Sequence, residues 1–347
     1  MKIIIDNKIP YIREAVEQIA DEVVYVPGKE FTPELVRDAD ALIIRTRTHC
    51  NKELLEGSHV RFIATATIGF DHIDTAYCQS AGITWTNAPG CNSASVAQYI
   101  QSTLLLLKVM CGRALNEMTI GIVGVGNVGS KIATLAKQWG MRVLLNDLPR
   151  AEQEGSVSFC SLAEIAQECD VITFHVPLYI EGKFKTYHLA DEHFFRSLKR
   201  QPVIINTSRG EVIETQALLN ALHTNQIAEA VIDVWEHEPN IHPQLLKEVM
   251  IGTPHIAGYS ADGKANATRM SLDALCKHFH IDAQYQITPP QPDEQVIHAS
   301  NREEALLKMY DPRKDSDALK AHPELFEQLR GDYPLRREEQ AYSIECP

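Results

Sequence analysis

Short apolar runs alternate with polar, helix-compatible stretches along most of the chain. In the first 90 residues the apolar runs predict strands at Lys2–Ile5, Val23–Val26, Ala41–Ile44, Phe62–Ala66 and Ile83–Trp85. The polar stretches predict helices near 11–20, 33–38, 51–56 and 73–80. Strands that alternate with helices at this spacing are parallel and are joined by crossover helices. The pattern therefore predicts one α/β domain.

A second series of the same kind follows a long apolar helix predicted over Ser93–Met110, with Asn92 or Ser93 as its N-cap. Its strands are predicted at Thr119–Val123, Val143–Asn146, Val171–Phe174, Val203–Asn206 and Ala230–Val234. Helices are predicted near 127–138, 161–168, 191–198 and 214–222, and again at 260–280. We therefore predict a second α/β unit.

The composition changes near the end of the chain. Residues 287–292 form a proline-rich stretch typical of a stiff linker, and residues 286–347 hold seven of the 17 prolines. Charged helix formers at 302–310 and 323–329 are scattered among those prolines. Since two α/β units already account for two domains, we predict a small appended α+β module at residues 285–347.

Composition and charge exclude several classes of function. A hydrophobic content of 44% is ordinary for a soluble protein, and a net charge of −13 disfavours a nucleic-acid partner. Apolar runs such as Thr103–Leu107 fall short of the ~20 residues that span a bilayer, and Met1–Asp6 does not resemble a signal peptide. The eight cysteines form no Cys-x-x-Cys pair, and no cluster has metal spacing. We expect a cytoplasmic chain with reduced thiols, no metal and no membrane partner.

The sharpest motif is Gly124-Val-Gly126-Asn127-Val128-Gly129, which follows one predicted strand and opens a helix. The motif alone is weak, and a glycine-rich turn without a ligand is its alternative explanation. Here the next strand ends at Asp147, which is the context of a dinucleotide fold. We therefore predict a dinucleotide site in a doubly wound, Rossmann-like domain.

Each part of this motif has a physical role. Gly124 permits a tight turn, Gly126 lets the backbone approach a pyrophosphate, and Gly129 allows close packing of helix and strand. The helix N-terminus offers free N–H groups to phosphates. Asp147 would accept hydrogen bonds from ribose hydroxyls and repel a 2′-phosphate, so NAD is favoured over NADP. Arg150 is the one nearby residue that favours the opposite choice.

Three further clusters each follow a predicted strand: residues 206–210, 233–239 and 252–259. Ligands of open α/β sheets bind beyond the carboxyl ends of the strands, so Arg209, Glu238 and His255 could meet there. A histidine handles protons near neutral pH, a carboxylate stabilises its imidazolium, and an arginine fork matches a substrate carboxylate. Each residue alone is more simply explained as structural. Their joint occurrence predicts oxidation of a hydroxy acid.

Together these clusters resemble the D-isomer-specific 2-hydroxyacid dehydrogenases over about residues 1–282. The resemblance implies that Arg209 binds the substrate carboxylate, Glu238 supports the base and His255 is the acid/base. It also implies a substrate-binding domain of residues 1–94 plus 257–284 and an NAD-binding domain of residues 95–256. Carried over by motif, the cofactor contacts are Gly124, Gly126, Asn127, Val128, Gly129, Asp147, Val176, Thr207, Ser208, Arg209, Asp233 and Gly258.

Finer stretches at 65–72, 88–92, 185–189 and 254–259 resemble members of this family that act on a phosphorylated hydroxy acid. The resemblance implies Thr46, Thr67 and Tyr259 as substrate contacts, and a homodimer formed through residues 285–347. Arg45 or Arg47, after a predicted strand, would hold the phosphate, although both could be solvated surface residues. The alternatives are a phosphoglycerate or glyoxylate/hydroxypyruvate dehydrogenase, or a non-enzymatic NAD-sensing corepressor.

Overall fold

A computed structural model describes residues 1–347 and divides the chain into two compact units. The first unit contains residues 1–92 and 260–292, and the second contains residues 93–259 and 293–347. The chain therefore leaves the first unit before a long helix and returns to it for another. The exact domain boundaries predicted above stay predictions.

The first unit contains a five-stranded parallel sheet, as the sequence predicts. Its strands are β1 Lys2–Asp6, β2 Glu22–Val26, β3 Ala41–Ile44, β4 Phe62–Thr65 and β5 Thr84–Thr86. They lie in the order β2-β1-β3-β4-β5, with Ile4 opposite both Val24 and Leu42. Successive residues of a strand face opposite sides, so Ile3 and Ile5 pack into one core and Ile4 into another. Both faces of the sheet are therefore buried.

The helices of the first unit are short, except for the last one. They span Arg13–Val16, Pro33–Val36, Lys52–Leu55, Thr75–Ser80 and Ala261–Phe279, with a 3₁₀ turn at Gly28–Glu30. Leu272 and Leu275 of the last helix pack on the face of Ile3 and Ile5. The helix predicted over 11–20 is wrong in length, because it has only four helical residues and its N-cap, Ile12, gives no side-chain hydrogen bond.

The second unit contains a six-stranded parallel sheet. Its strands are β6 Thr119–Val123, β7 Arg142–Asn146, β8 Val171–Phe174, β9 Val203–Asn206, β10 Glu229–Ile232 and β11 Ile251–Gly252. The order is β11-β10-β9-β8-β6-β7, so the direction of strand addition reverses beside β6. In doubly wound sheets a ligand binds at the carboxyl ends of the strands where the order reverses. The glycine motif follows β6 at that point.

The second unit also has helices that the sequence pattern did not predict. Its helices before residue 260 span Ser93–Cys111, Asn127–Gln138, Leu148–Glu154, Leu162–Glu168, Glu192–Ser197, Thr215–His223 and Pro243–Glu248. Short 3₁₀ turns lie at Leu115–Glu117, Ser156–Ser158 and Gly210–Val212. The missed helices at 148–154 and 243–248 each have a proline in the first turn and a side-chain cap, from Asp147 and His242.

The helix Ser93–Cys111 is the one helix long and apolar enough to cross a membrane by length and composition. In the fold, 67% of its most apolar 18-residue window is buried. Tyr99, Leu104 and Ile100 pack with Ile120 and Ile122 of β6 in one core. Its apolar character is therefore explained by its place in the interior of the second unit.

The C-terminal segment, residues 293–347, is built into the second unit. It contains helices Arg302–Met309, Pro312–Ala321 and Phe326–Gly331, 3₁₀ turns at Pro323–Leu325 and Glu339–Ala341, and a parallel pair of β12 Val296–His298 with β13 Ser343–Glu345. The predicted α+β character is confirmed. Leu319 and Phe326 are buried in the same core as Ile204 of β9, so the segment shares the interior of the sheet that precedes it.

Candidate active site

The glycine motif forms a tight loop between β6 and the helix Asn127–Gln138. Gly124 has a φ of +90°, and a Cβ there would lie 2.6 Å from the carbonyl oxygen of His175. A Cβ on Gly129 would lie 2.0 Å from the oxygen of Gly124, whereas a Cβ on Gly126 would meet nothing within 4 Å. The loop is therefore closely packed at Gly124 and Gly129 and open at Gly126. This open space fits the close approach of a pyrophosphate to the backbone.

Asp147 directly follows β7, beside this loop. Its Oδ2 accepts a hydrogen bond from the amide of Val125 at 2.8 Å, and its Oδ1 accepts one from the amide of Arg150 at 3.0 Å. The guanidinium of Arg150 pairs with Glu154 at 2.7 Å and donates to the carbonyl of Val125 at 2.6 Å. Arg150 is the one residue that favoured binding of a 2′-phosphate. Because it is already paired with Glu154, it does not offer an unpaired cation to NADP.

His175 and Val176 follow β8 and border the glycine loop. The Cγ1 atom of Val176 would lie 2.9 Å from a Cβ on Gly124. The imidazole of His175 lies 2.8 Å from Thr173 Oγ1 and 3.3 Å from Thr207 Oγ1. Enclosure by protein atoms lowers the pKa of His175 to about 3, so the ring is neutral at neutral pH. It therefore positions Thr207 without carrying charge.

The loop that carries Arg209 is shaped by Asn206, the last residue of β9. The Asn206 Oδ1 atom accepts hydrogen bonds from the amide and the hydroxyl of Ser208, at 3.0 and 2.8 Å. The loop also packs on the next one, because a Cβ on Gly210 would lie 1.9 Å from the carbonyl carbon of Trp235. Arg209 is half-buried, and its Nη1 donates to the carbonyl of Ser208 at 2.7 Å.

Glu238 and His255 form a hydrogen-bonded pair. The Nδ1 atom of His255 lies 2.8 Å from Glu238 Oε2, while Glu238 Oε1 accepts the amide of Trp235 at 2.9 Å. The two side chains are 28% and 19% exposed, so the pair is only partly hydrated. Burial acts to raise the pKa of Glu238, but the hydrogen bond and charge of His255, the Trp235 amide and the charge of Arg330 together outweigh it and hold that pKa below its ordinary value. Glu238 is therefore ionised, and Nε2 of His255 is left for a substrate.

Asp233 holds the backbone on which His255 stands. Its carboxylate is buried and accepts hydrogen bonds from Thr253 Oγ1 and the Ile256 amide at 2.7 Å, and from the Ala257 amide at 3.0 Å. Burial raises the pKa of Asp233 above its ordinary value. His255 itself has a φ of +57°. This left-handed conformation costs a residue other than glycine roughly 1–2 kcal/mol. These contacts fix a strained residue in one orientation.

The C-terminal segment reaches this loop with two arginines. Nε of Arg330 donates to Tyr259 Oη at 3.1 Å, and its Nη1 lies 3.8 Å from Glu238 Oε2. Arg336 is buried and donates to the carbonyls of Ala257 at 2.6 Å and Ser95 at 2.8 Å. Two residues that follow His255 in its loop, Ala257 and Tyr259, are therefore hydrogen-bonded to the C-terminal segment.

The predicted substrate contacts other than Tyr259 lie in the first unit. Arg45, directly after β3, is half-buried, whereas Thr46 and Arg47 are exposed. Arg47 lines a cavity of about 240 Å³ together with Lys29 and His49. Oγ1 of Thr67 donates to the carbonyl of Gly69 at 2.9 Å. These positions stay predictions as substrate contacts.

Comparison with known proteins agrees with this geometry. Residues 96–257 match the D-isomer specific 2-hydroxyacid dehydrogenase, NAD binding domain. A relative from Bacteroides thetaiotaomicron, named erythronate-4-phosphate dehydrogenase, is 72% identical over 99% of both chains. The chain belongs to the D-isomer-specific 2-hydroxyacid dehydrogenase family. The match of residues 96–257 of this dehydrogenase to an NAD-binding domain confirms NAD as the predicted cofactor.

More distant relatives have the same name and are similar to this chain over almost its whole length. Those from Porphyromonas gingivalis and Escherichia coli O81 are 44% and 40% identical, over 99% and 100% of the dehydrogenase and 95% and 94% of the relatives. A solved D-lactate dehydrogenase from Aquifex aeolicus, complexed with NAD and lactic acid, is 25% identical with a TM-score of 0.63. It covers 81% of this chain, and 96% of that chain is matched. Residues 287–347 match a family described as a domain of unknown function.

The structure joins some of the predicted site residues of the dehydrogenase and not others. It pairs Glu238 with His255, but no hydrogen bond in residues 1–347 joins Arg209 to either of them. Sequence reasoning missed Arg330 and Arg336, which no motif singles out. His175 was not among the predicted site residues, although a polar residue directly after a buried strand and beside the predicted cofactor contact Val176 was a usable signal. The catalytic and cofactor roles of individual residues stay predictions.

Proposed function

We propose that this dehydrogenase oxidises 4-phospho-D-erythronate to 2-oxo-3-hydroxy-4-phosphobutanoate with NAD, as a step of vitamin B6 synthesis. The observation that carries the proposal is the 72% identity, over 99% of both chains, to a relative named for that reaction. The hydrogen-bonded pair of Glu238 and His255 supports it, because oxidation of a hydroxyl group needs a base.

The proton is handled by His255. Its Nδ1 is held by Glu238 at 2.8 Å, which fixes the tautomer with Nδ1 protonated and leaves the Nε2 lone pair for the substrate hydroxyl. As Nε2 takes that proton, the ring becomes positive, and the ionised Glu238 stabilises the charge. Asp233 keeps the loop in place during this change through its three hydrogen bonds.

Arg209 binds the substrate carboxylate in this proposal. A guanidinium presents two parallel N–H donors to a carboxylate, which orients C2 of the substrate. When bound at the glycine loop, NAD would supply the acceptor for the hydride of substrate C2. The open space at Gly126 and the carboxylate of Asp147 are the features of this chain that would hold the cofactor's pyrophosphate and ribose.

Turnover with a defined substrate tests the proposal. We expect NADH formation with 4-phospho-D-erythronate and NAD, and loss of that signal in His255→Ala by roughly 10²–10⁴-fold. A panel with glycerate 3-phosphate, glycerate and D-lactate separates the members of the family. Preference for glycerate 3-phosphate would assign the phosphoglycerate reaction instead. NADH binding without turnover of any hydroxy acid would favour a sensor.

The phosphate assignment has its own test. We expect Arg45→Ala combined with Arg47→Ala to raise KM for the phosphorylated substrate more than for an unphosphorylated analogue, because a phosphate loses its cationic partners. The single variants distinguish the half-buried Arg45 from the exposed Arg47. Equal effects on both substrates would remove the assignment.

We also infer a cytoplasmic homodimer from the resemblance, in which the C-terminal module mediates dimerisation. The segment 293–347 has the expected α+β character, and its strand Val296–His298 pairs on one side only. Light scattering should give twice the mass of one chain. A single-chain mass at micromolar concentration would contradict the dimer.

A further inference from the structure

Arg330 lies where a charge would act on the catalytic pair. It projects from the short helix Phe326–Gly331, its side chain is 29% exposed, and its Nη1 is 3.8 Å from the same Glu238 oxygen that binds His255. Its Cζ atom is 5.8 Å from the ring centroid of Tyr259, whose hydroxyl accepts its Nε. A single guanidinium thus bridges the carboxylate of the pair and a predicted substrate contact.

The groups around this guanidinium have defined charges. Glu327 of its own helix and Glu238 are the carboxylates that face it, and Tyr259 presents its hydroxyl to it. His255 is faced by Glu238 at 2.8 Å and by the buried Asp233. Arg330 is therefore the cation of this group, and it opposes the positive charge that His255 acquires with a proton.

The segment that carries Arg330 is anchored to the same loop. Arg336 donates to the carbonyl of Ala257, two residues after His255, and its guanidinium lies 4.2 Å from the ring centroid of Tyr310. Glu338 accepts a hydrogen bond from Ser95 at 2.9 Å. Arg330 thus reaches the pair from a segment whose backbone and side chains are held, and its distance to Glu238 is set by the fold.

We propose that Arg330 is a positioning residue that the C-terminal segment supplies to the active site, where it limits protonation of His255 and orients Tyr259. The proposal rests on the proposed function, since it assigns a role within that reaction. It gives a task to part of the region that matches a domain family of unknown function. In the oxidation direction the base must be unprotonated, so a cation beside the pair keeps it active at lower pH.

The test compares Arg330→Met and Arg330→Lys with the control Arg313→Met, which removes an arginine of the same segment that is 59% exposed and paired with Asp311. We expect the acid limb of the pH profile of kcat/KM to move up by about 0.5–1 pH unit in Arg330→Met. Arg330→Lys keeps the positive charge, so the acid limb of its pH profile should lie near that of the wild type. NADH affinity should be unchanged in all three variants.

A second readout does not depend on turnover. The pH midpoint of the His255 ring signal, followed by NMR and assigned with His255→Gln, should rise in Arg330→Met and stay in place in Arg313→Met. Absence of turnover with 4-phospho-D-erythronate would refute the proposed substrate, and the NMR midpoint would still test Arg330. An unchanged His255 midpoint in Arg330→Met would overturn the role of the charge. A shift in Arg330→Lys as large as that in Arg330→Met would overturn it as well. Should Arg330→Met not fold, Arg330→Gln carries the same comparison.

Discussion

Replacing Glu238 with glutamine separates its charge from its shape. The carboxylate binds two donors, His255 Nδ1 at 2.8 Å and the Trp235 amide at 2.9 Å. Glutamine has one carbonyl oxygen, which can serve one donor only. If that oxygen turns to Trp235, the amide N–H₂ faces His255 and favours the tautomer with its proton on Nε2. If it turns to His255, a partly buried backbone N–H loses its acceptor.

The magnitude follows from the geometry of the pair. Opposite charges about 4 Å apart interact by about 4 kcal/mol at an effective dielectric constant of about 20. The side chains are 28% and 19% exposed, so water replaces a share of that interaction. A loss of about 3 kcal/mol corresponds to roughly 10²-fold in rate, at ~1.4 kcal/mol per factor of ten. We expect kcat for Glu238→Gln to fall by roughly that factor.

The chain offers a matched control two residues away. Glu236 pairs with His188 at 2.7 Å and accepts the Thr215 amide at 2.8 Å, so it is also a glutamate between a histidine and a backbone N–H. The steady-state rate of NADH formation should fall in Glu238→Gln and stay near the wild-type rate in Glu236→Gln. The affinity for NADH should be unchanged in both variants. A loss of less than tenfold in Glu238→Gln, or equal losses in the two variants, would refute the reasoning.

Two further predictions concern stability and cofactor binding. The pKa of Glu238 lies below its ordinary value of 4.5 in the folded protein, so its charge stabilises the fold above that pH and the contribution is lost as the pH falls through the folded value. The difference in melting temperature between the wild type and Glu238→Gln should therefore shrink in acid; a constant difference would contradict it. Gly129→Ala should weaken NADH binding by about 1–3 kcal/mol, roughly 5- to 150-fold, because its Cβ would lie 2.0 Å from a backbone oxygen. Fluorescence quenching measures this, Gly331→Ala is the control with open space, and equal affinities would refute it.

The sequence predicted those parts of the fold that depend on local pattern. The strand Ala41–Ile44 has the predicted bounds, because a run of four apolar residues between polar stretches fits a strand buried on both faces. The glycine loop was predictable as well, since close backbone contacts leave no room for side chains at Gly124 and Gly129. The nearness of Glu238 and His255 followed from the rule that parallel strands end at one edge.

The remaining features depend on tertiary contacts that no spacing encodes. Asp233 supports the backbone amides of Ile256 and Ala257, which only the packing of two loops brings within 3.0 Å. Arg330 lies 92 positions after Glu238. The sequence showed only charged helix formers at 323–329 near it, whereas the structure has a helix over Phe326–Gly331. Asp147 was predicted as a ribose contact, whereas its role as the N-cap of the helix Leu148–Glu154 was missed.

The hydrogen bonds of Arg336 have a consequence for the order of events during synthesis. The glycine loop and β6 emerge from the ribosome early, and a sheet can begin to assemble while translation continues. The carbonyls of Ser95 and Ala257 accept hydrogen bonds from the guanidinium of Arg336, which is encoded 79 residues after Ala257. A nascent chain therefore cannot form these hydrogen bonds, which hold the loop that carries His255, until Arg336 has left the ribosome.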